Sequence, residues 1–489
     1  MENLTREQEI LNKIITEFEA LASIPRKSGH EKKVSDYLLE KAKKLNLKVV
    51  QDEVNNIIID KPATAGYEDI PVTILQCHMD MVCVSIEGKQ YNPITDSIRV
   101  INDGKCLSAE GTSLGADDGI GVAVAMYILQ DKDIAHGPLR VIITVDEENG
   151  MTGAKALDKK YLNAGYLINC DSEDVDIVTI SSAGSINVDL KRTPSWHEPK
   201  NTAAYKFSVR GLLGGHSGME INKGRANALR ILALAIHTME EAEINFELAD
   251  FHGGTARNAI PADAYSTIII KDLDIYKMNN VVAKMNAYIN TTFGQVEKGY
   301  YLEFMPTSMP ETVLSESDCR ALIDFVCFVK NDVLAMSKEV NGLVETSSNL
   351  GVVRIKKEEM KLTVYPRSSV DEQLDDFQQE LETLAKRYSF EIEFSGKAPG
   401  WPVNVQSKLA PLIKQIFEEQ NKKPMQAESI HAGLECSWFY EKNPQLDIIS
   451  IGPTVTGVHS YHERLHLDTV VPHVHLIIET LKQLRNFSN

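Results

Sequence analysis

Apolar residues follow two regimes along this chain. Residues 56–60, 72–77, 139–145 and 166–170 are short, nearly continuous apolar runs, the signature of strands buried on both faces. Residues 119–129, lying between them, predict a helix. Nearer the start, Val34, Leu38, Ala42 and Leu45 recur at helical spacing after Ser28-Gly29-His30-Glu31, which reads as a capping box. Strands of this kind alternating with helices predict an α/β fold with a mostly parallel sheet flanked by helices. In such sheets ligands bind beyond the carboxyl ends of the strands.

The second regime begins after Ser181-Ser182-Ala183-Gly184-Ser185, which reads as a joint. Alternating strands at 205–209 and 265–270 surround amphipathic helices near 227–241 and 275–291. A comparable set recurs from about 315 to 394, without any residue-level repeat. This region predicts an inserted α+β domain of two similar halves. Residues 395–400 read as the return joint, followed by a helix near 409–419, a strand at 446–451 and a final helix reaching about Arg485. The expected organisation is a discontinuous first domain, 1–185 with 396–489, interrupted by 186–395.

Composition narrows the function. A chain of 489 residues is too long for one core, which agrees with the interrupted pattern. No apolar run is long enough to span a bilayer, and the polar start at residues 1–9 lacks the hydrophobic segment of a secretion signal. The seven cysteines are odd in number and lack CxxC spacing, which argues against a disulfide framework or a thiolate zinc site and for a reducing cytoplasm. A formal net charge of −18 argues against a nucleic-acid partner.

Five segments at the ends of apolar runs carry the candidate chemistry: His78-Met79-Asp80, Asp117-Asp118, Asp146-Glu147-Glu148, Asp171 and His459. Together they contain ligands for two metal ions sharing a carboxylate, plus a spare carboxylate to act as base. On an extended chain Asp80 points the same way as His78 and can accept a hydrogen bond from its imidazole. Asp117 is the choice for the shared ligand, with Asp118 supporting the turn. Adjacent side chains after the third strand point in opposed directions, so one acid can bind metal while its neighbour faces the open site. Each segment also has a bland reading. These are a strand-end pair, a helix cap, a solvated acidic turn, a second cap, and one of thirteen histidines with His462, His466, His473 and His475 as competitors.

The combination resembles the zinc metallopeptidase family that holds the aminoacylases and glutamate carboxypeptidases, and within it the cytosolic dipeptidases acting on Xaa-His dipeptides. The likeness runs in order through 75–82 (LQCHMDMV), 111–121 (GTSLGADDGIG), 144–154 (TVDEENGMTGA), 169–173 (NCDSE), 213–228 (LGGHSGMEINKGRANA), 253–261 (GGTARNAIP), 430–436 (IHAGLEC) and 451–463. The resemblance implies two Zn2+ per chain, with Mn2+ or Co2+ as substitutes. His78 and Asp171 would hold one ion, Glu148 and His459 the other, and Asp117 would bridge them. Asp80 would orient His78, and Glu147 would be the general base. The inserted region becomes a lid whose His216 stabilises the oxyanion, while Asn258, Arg367 and the backbone near Gly433 bind the substrate's ends.

The resemblance thus implies a cytoplasmic dipeptidase for small peptides with free termini, without a nucleic-acid or membrane partner, and a homodimer. A tripeptidase or an N-acyl-amino-acid deacylase is the alternative on the same scaffold. A non-catalytic metal-dependent peptide-binding protein is a third reading, against which the spare Glu147 argues. Two positions depart from the family pattern: Asp118 stands where an asparagine is expected, and Tyr461-His462 where proline and an acid are expected.

Overall fold

The strand Thr73–His78 is buried at all six positions and occupies the middle of an eight-stranded sheet. Its neighbours Leu139–Thr144 and Tyr166–Asn169 run parallel to it, and Asp447–Ser450 runs parallel to Tyr166–Asn169. Antiparallel strands Ile57–Lys61 and Lys48–Gln51 extend one side. The parallel centre is the part the apolar runs predicted, and the sheet as a whole is mixed. Helix Ala116–Gln130 packs against Thr73–His78 and against helix Arg6–Ala22, which explains why its apolar residues are not confined to one face. Arg6–Ala22, by contrast, buries only one stripe, including Ile10, Ile14, Phe18 and Leu21.

The computed structural model describes residues 5–340 and 342–487. They fall into two units: Met1–Ser181 with Trp401–Ser429 and Leu434–Asn489, and Ser182–Gly400 with Ile430–Gly433. The expected joints are not loose loops. Residues 181–185 belong almost wholly to strands Ile177–Ser182 and Gly184–Arg192, and strand Glu391–Ala398 runs through most of the return segment.

The second unit contains a nine-stranded sheet. One half consists of strand Ala203–Arg210, helix Ala228–Glu241, strands Phe246–Gly253 and Ala264–Ile270, helix Ile275–Phe293 and strand Tyr301–Pro306. The other consists of strand Gly184–Arg192, helix Glu316–Phe328, strands Val344–Ile355 and Met360–Ser368, helix Asp371–Arg387 and strand Glu391–Ala398. In each half the fourth strand pairs with the first, the first with the third, and the third with the second. Both are β-α-β-β-α-β units, joined where Gly253 pairs with Val353. The halves are similar, as expected, but nested. The opening strand of the second half lies at Gly184–Arg192, upstream of the entire first half, rather than near 315. Local periodicity cannot reveal so distant a pairing.

Alternation then divides the sheet chemically. Leu362 and Val364 enter the apolar core with Phe207, Leu232, Ile236, Phe251 and Phe325. Tyr365 and Arg367, one step out of phase, point to the opposite face.

The capping box expected at Ser28–Glu31 is absent. Helix Lys32–Lys44 starts after Glu31 without a side-chain cap. Ser28 Oγ instead donates to Asp80 Oδ2 at 2.8 Å, and Glu31 Oε1 accepts from the N–H groups of Gly29 and Asp146 at 2.6 and 3.1 Å. The loops that need these groups outcompete the helix end. A capping box does open the first helix, between Thr5 and Gln8.

One buried histidine makes stability depend on pH. His473 in helix Leu467–Gln483 has neither ring nitrogen partnered, and burial pushes its pKa down to about 3. The unfolded chain regains an ordinary value near 6.5, so it binds the proton that the folded chain refuses as the pH falls. Stability should therefore be lost from about pH 6.5 downward, by about 2 kcal/mol at pH 5 from this group. His473→Leu should show correspondingly less loss between pH 7 and pH 5 in denaturant titrations. Equal losses in parent and variant would contradict the neutral buried ring.

Candidate active site and metal centre

The ends of the central parallel strands bring the acids together. His78 is the last residue of its strand, Asp171 follows Tyr166–Asn169 by two residues, and Glu147 opens a helical turn shortly after Leu139–Thr144. His459 comes from the distant loop before the last helix, with a left-handed φ of 59°.

Asp117 lies at the centre. One carboxylate oxygen, Oδ1, is 3.1 Å from His78 Nε2, and the other, Oδ2, is 3.2 Å from His459 Nε2. Asp171 Oδ1 is 3.3 Å from the same His78 nitrogen, and Glu148 Oε2 is 2.9 Å from His459 Nε2. The candidate ligand atoms form three overlapping groups, each within 4.8 Å: His78–Asp118–Asp171, His78–Glu147–Glu148 and Asp117–Glu148–His459. The first contains Asp118 rather than Asp117. We favour Asp117 as the shared ligand, because Asp118 already uses Oδ2 to accept the His78 N–H at 3.1 Å and Oδ1 to accept the Gly121 N–H at 3.1 Å. The peptide between the two aspartates is cis.

Asp80 organises two loops. Its Oδ1 is 3.4 Å from His78 Nδ1, and its oxygens accept the N–H groups of Glu147 and Glu148 at 3.0 and 3.2 Å. Glu147 and Glu148 therefore start a helical turn rather than continuing the strand, which corrects the opposed directions expected from an extended chain. Asp146 precedes them in the left-handed conformation with φ 56°.

Sequence reading missed the groups that fix these loops. Glu463, 3% exposed, accepts N–H bonds from Leu114 (2.7 Å), Gly115 (2.9 Å), Ala116 (2.7 Å) and Asp117 (3.3 Å). Arg26 is also buried and donates to the carbonyls of Met79, Asp80 and Gly115. A Cβ on Gly115, whose φ is 72°, or on Gly119 would lie 2.5 Å from an Arg26 nitrogen, so a side chain at either position would push the guanidinium from its place. Glu435 accepts from Gln76 and Thr144 at 2.6 and 2.7 Å, and Gln76 accepts from Asn169 at 2.6 Å. This polar chain ties three central strands together beneath the site. Arg26 carried no signal. Glu463 and Glu435 stood inside or beside matching segments without a role.

The competing histidines lie elsewhere. His473 is in the core, His466 contacts Cys106 and Thr456, and His462 packs against Tyr461 with ring centres 4.2 Å apart. None belongs to the candidate metal groups, and neither does His475.

Charge in this cluster is poorly balanced. Burial pushes the carboxyl groups of Asp118, Asp171 and Glu147 well above their usual range, and those of Glu173 and Glu435 up to about 7. Asp117 is held far below that range, because hydrogen bonds to His459 and His78 outweigh its burial. His459 is pushed up to about 11 by its bonds to Asp117 and Glu148. Two imidazoles and one guanidinium face a larger number of acids. Oxygen and imidazole donors lacking sufficient positive charge suit divalent cations of the zinc and manganese type.

The second unit gathers its own polar group. His216 lies in a short strand paired with Ala259, and Ser217 N–H donates to the Asn258 carbonyl at 2.9 Å. His216 Nδ1 accepts from the N–H groups of Gly218 and Met219 at 3.3 and 3.1 Å. The ring proton of neutral His216 therefore sits on Nε2. Burial, then the charge of Arg367, lowers the His216 pKa, which favours that neutral form. Arg367 is 5% exposed and lies 4.7 Å from the Tyr365 ring centre. Gly433 is exposed at the end of the four-residue segment Ile430–Gly433.

A parallel strand centre ending in a carboxylate–imidazole cluster defines an α/β protein with a site able to hold divalent cations. A match to peptidase family M20/M25/M40 spans residues 74–483, and the chain belongs to that family. It is a metallopeptidase, a hydrolase of peptide bonds. It is 35% identical over 471 residues to the cytosol non-specific dipeptidase of Escherichia coli K12, covering 96% of each chain. The crystal structure of aminoacylhistidine dipeptidase from Vibrio alginolyticus matches with a TM-score of 0.92 and 32% identity over 96% of each chain. Aminopeptidase PepT from Bacillus cereus matches with a TM-score of 0.57 at 16% identity over 97% of this chain and 98% of that one, a likeness of fold alone.

The Glu463 clasp makes a measurable difference. Glu463→Gln replaces one N–H acceptor by an N–H donor facing other donors, which should loosen the Asp117 loop. Metal affinity, measured by competition with a chromogenic chelator, should fall about 10- to 100-fold, as for other groups that orient ligands. An unchanged affinity would show that the loop holds its position without the clasp.

Proposed function

We propose that this protein hydrolyses dipeptides with free termini, Xaa-His dipeptides among them, with two divalent cations per chain. The reading is carried by Asp117, whose two oxygens lie 3.1 Å from one imidazole and 3.2 Å from another. His78 and Asp171 would hold one cation, Glu148 and His459 the other, and Asp117 both. Zinc fits these donors, with manganese or cobalt as substitutes. Bound there, such cations acidify water and polarise the scissile carbonyl.

The remaining work belongs to the chain. Glu147 accepts the proton of the attacking water and delivers it to the leaving amine nitrogen. Its pKa, raised by burial, suits a group that must both take and return a proton. Asp80 holds His78 from behind and fixes the start of the Glu147 turn through two N–H bonds. The second unit acts as a lid. His216 donates its Nε2–H to the developing oxyanion, Asn258 and the backbone near Gly433 bind peptide polar groups, and Arg367 takes the free carboxylate in a bidentate fork.

The names of the relatives support dipeptides as the substrate class: a non-specific dipeptidase and an aminoacylhistidine dipeptidase, each alike over nearly the full chain. We further propose a cytoplasmic location and a homodimer. Among the described residues no helix is long and apolar enough to cross a membrane.

The zinc-loaded protein should release free histidine from L-Ala-L-His and leave N-acetyl-histidine intact. Cleavage of the blocked compound instead would make the protein a deacylase, and stoichiometric dipeptide binding without turnover would make it a binding protein. Glu147→Ala should keep the bound metal but lower kcat by about 100- to 10,000-fold. Activity within a few-fold of the parent would remove Glu147 as the base.

A further inference from the structure

We infer that His431 is a second donor to the substrate's free carboxylate, acting beside Arg367, with Ser347 holding its ring in the tautomer that carries the proton on Nδ1. The inference rests on the dipeptidase reading above and adds to it a residue that fixes the carboxyl end.

His431 is 7% exposed. Its Nε2 lies 2.7 Å from Ser347 Oγ, while its buried Nδ1 has no partner. Ser347 stands directly opposite Arg367 on the neighbouring strand. Arg367 is itself buried, with Nε unpartnered. Two buried side chains, one bonded to Ser347 and the other on its cross-strand partner, thus each retain an unused polar atom, which native structures seldom leave unmet. The ionisable groups whose charges act on Arg367 are Tyr365 and Arg257, and neither is a carboxylate. The guanidinium's counter-charge is then left for a ligand to supply.

The segment that carries His431 is held in place by its backbone. The carbonyls of Ile430 and Ala432 both accept from Ala183 N–H, at 3.0 and 3.1 Å. A Cβ on Gly218 would lie 2.3 Å from the His431 carbonyl oxygen and 3.0 Å from His216 Cε1, so the His431 backbone packs against the turn that carries His216. Burial, then the charges of Arg367 and His216, pushes the His431 pKa down to about 3, so the ring is neutral. A neutral ring has one proton to place. When the Ser347 hydroxyl donates to Nε2, that proton lies on Nδ1, where it can meet an anion bound to Arg367. The opposite tautomer would turn a lone pair toward the same anion.

Two substitutions separate this role from simple packing. His431→Gln keeps a polar group near Ser347 but removes the Nδ1 donor. His431→Asn places an amide donor near the lost Nδ1. The Gln variant should raise KM for L-Ala-L-His about 10- to 100-fold, the range for a hydrogen bond to a charged group. Its kcat should stay within about threefold of the parent's, and its kcat/KM for L-Ala-L-histidinamide should be unchanged. The Asn variant should recover most of the lost affinity. Equal losses on acid and amide, or Asn no better than Gln, would overturn the inference. Parent turnover of L-Ala-L-His separately tests the dipeptidase reading. Calorimetric binding of L-histidine against L-histidinamide requires no turnover. The parent should prefer the acid and the Gln variant should lose that preference; a parent that binds both alike would also overturn the inference.

Discussion

Four successive peptide N–H groups, from Leu114 to Asp117, end on the carboxylate of Glu463. This interaction joins the loop that opens a central helix to a segment near the end of the chain. The remaining geometry follows from it. Asp117 can address two imidazoles only if its backbone is fixed, and at the start of helix Ala116–Gln130 its own dihedrals, φ −77° and ψ 114°, are not helical. Arg26 acts from the other side by collecting the carbonyls of Met79, Asp80 and Gly115. One buried anion thus gathers N–H groups while one buried cation gathers C=O groups. Each lowers the pairing cost of the other, since their charges attract within a poorly solvated interior.

The same loops concentrate negative charge beyond what their own cations neutralise. The response is uneven. Asp117, flanked by both imidazoles, is held strongly acidic, whereas Asp171, Glu147 and Glu173 are pushed toward the protonated form by burial. A site of this composition gains most from bound dications, because they replace costly protonation by coordination. The acids therefore make sense as a set, not as separate surface residues. Asp118 also becomes intelligible. Its carboxyl group uses both oxygens to accept backbone N–H bonds, from His78 and Gly121, a double acceptor that an amide, with one oxygen, would not match.

Much of this was legible in the sequence because local signals happened to coincide with the fold. The strand at 72–77 is apolar on both faces and leads directly into His78, so a doubly buried strand with a ligand at its carboxyl end could be read from the residues alone. The paired halves of the inserted region were visible as repeated patterns. What escaped reading depends on contacts between distant segments. Arg26 looks like an ordinary surface arginine until the loops at 79–80 and 115 fold around it. Ser28 and Glu31 fit a capping template, yet their side chains serve Asp80 and the backbone near it. Gly184–Arg192 gave no hint that its partners lay beyond an entire intervening half. His431 sat in a matching segment, but its partner Ser347 is fixed only by strand register.

The nesting of the two halves also imposes an order on synthesis. Strand Gly184–Arg192 leaves the ribosome first, but its neighbours Met360–Ser368 and Glu391–Ala398 are made only after the whole inner half. The inner half is continuous from Ala203 to Pro306, and its first and last strands pair with each other. It can close while the outer strand still waits. The nascent chain therefore carries an unpaired apolar edge through much of its translation, the kind of edge that recruits chaperones or other chains. Isoleucine, valine and leucine at 186, 188 and 190 give that waiting strand its apolar face. Lysine and arginine at 191 and 192, with aspartate at 189, interrupt it with charge. Such residues keep a strand from finding the wrong neighbour before the right one exists.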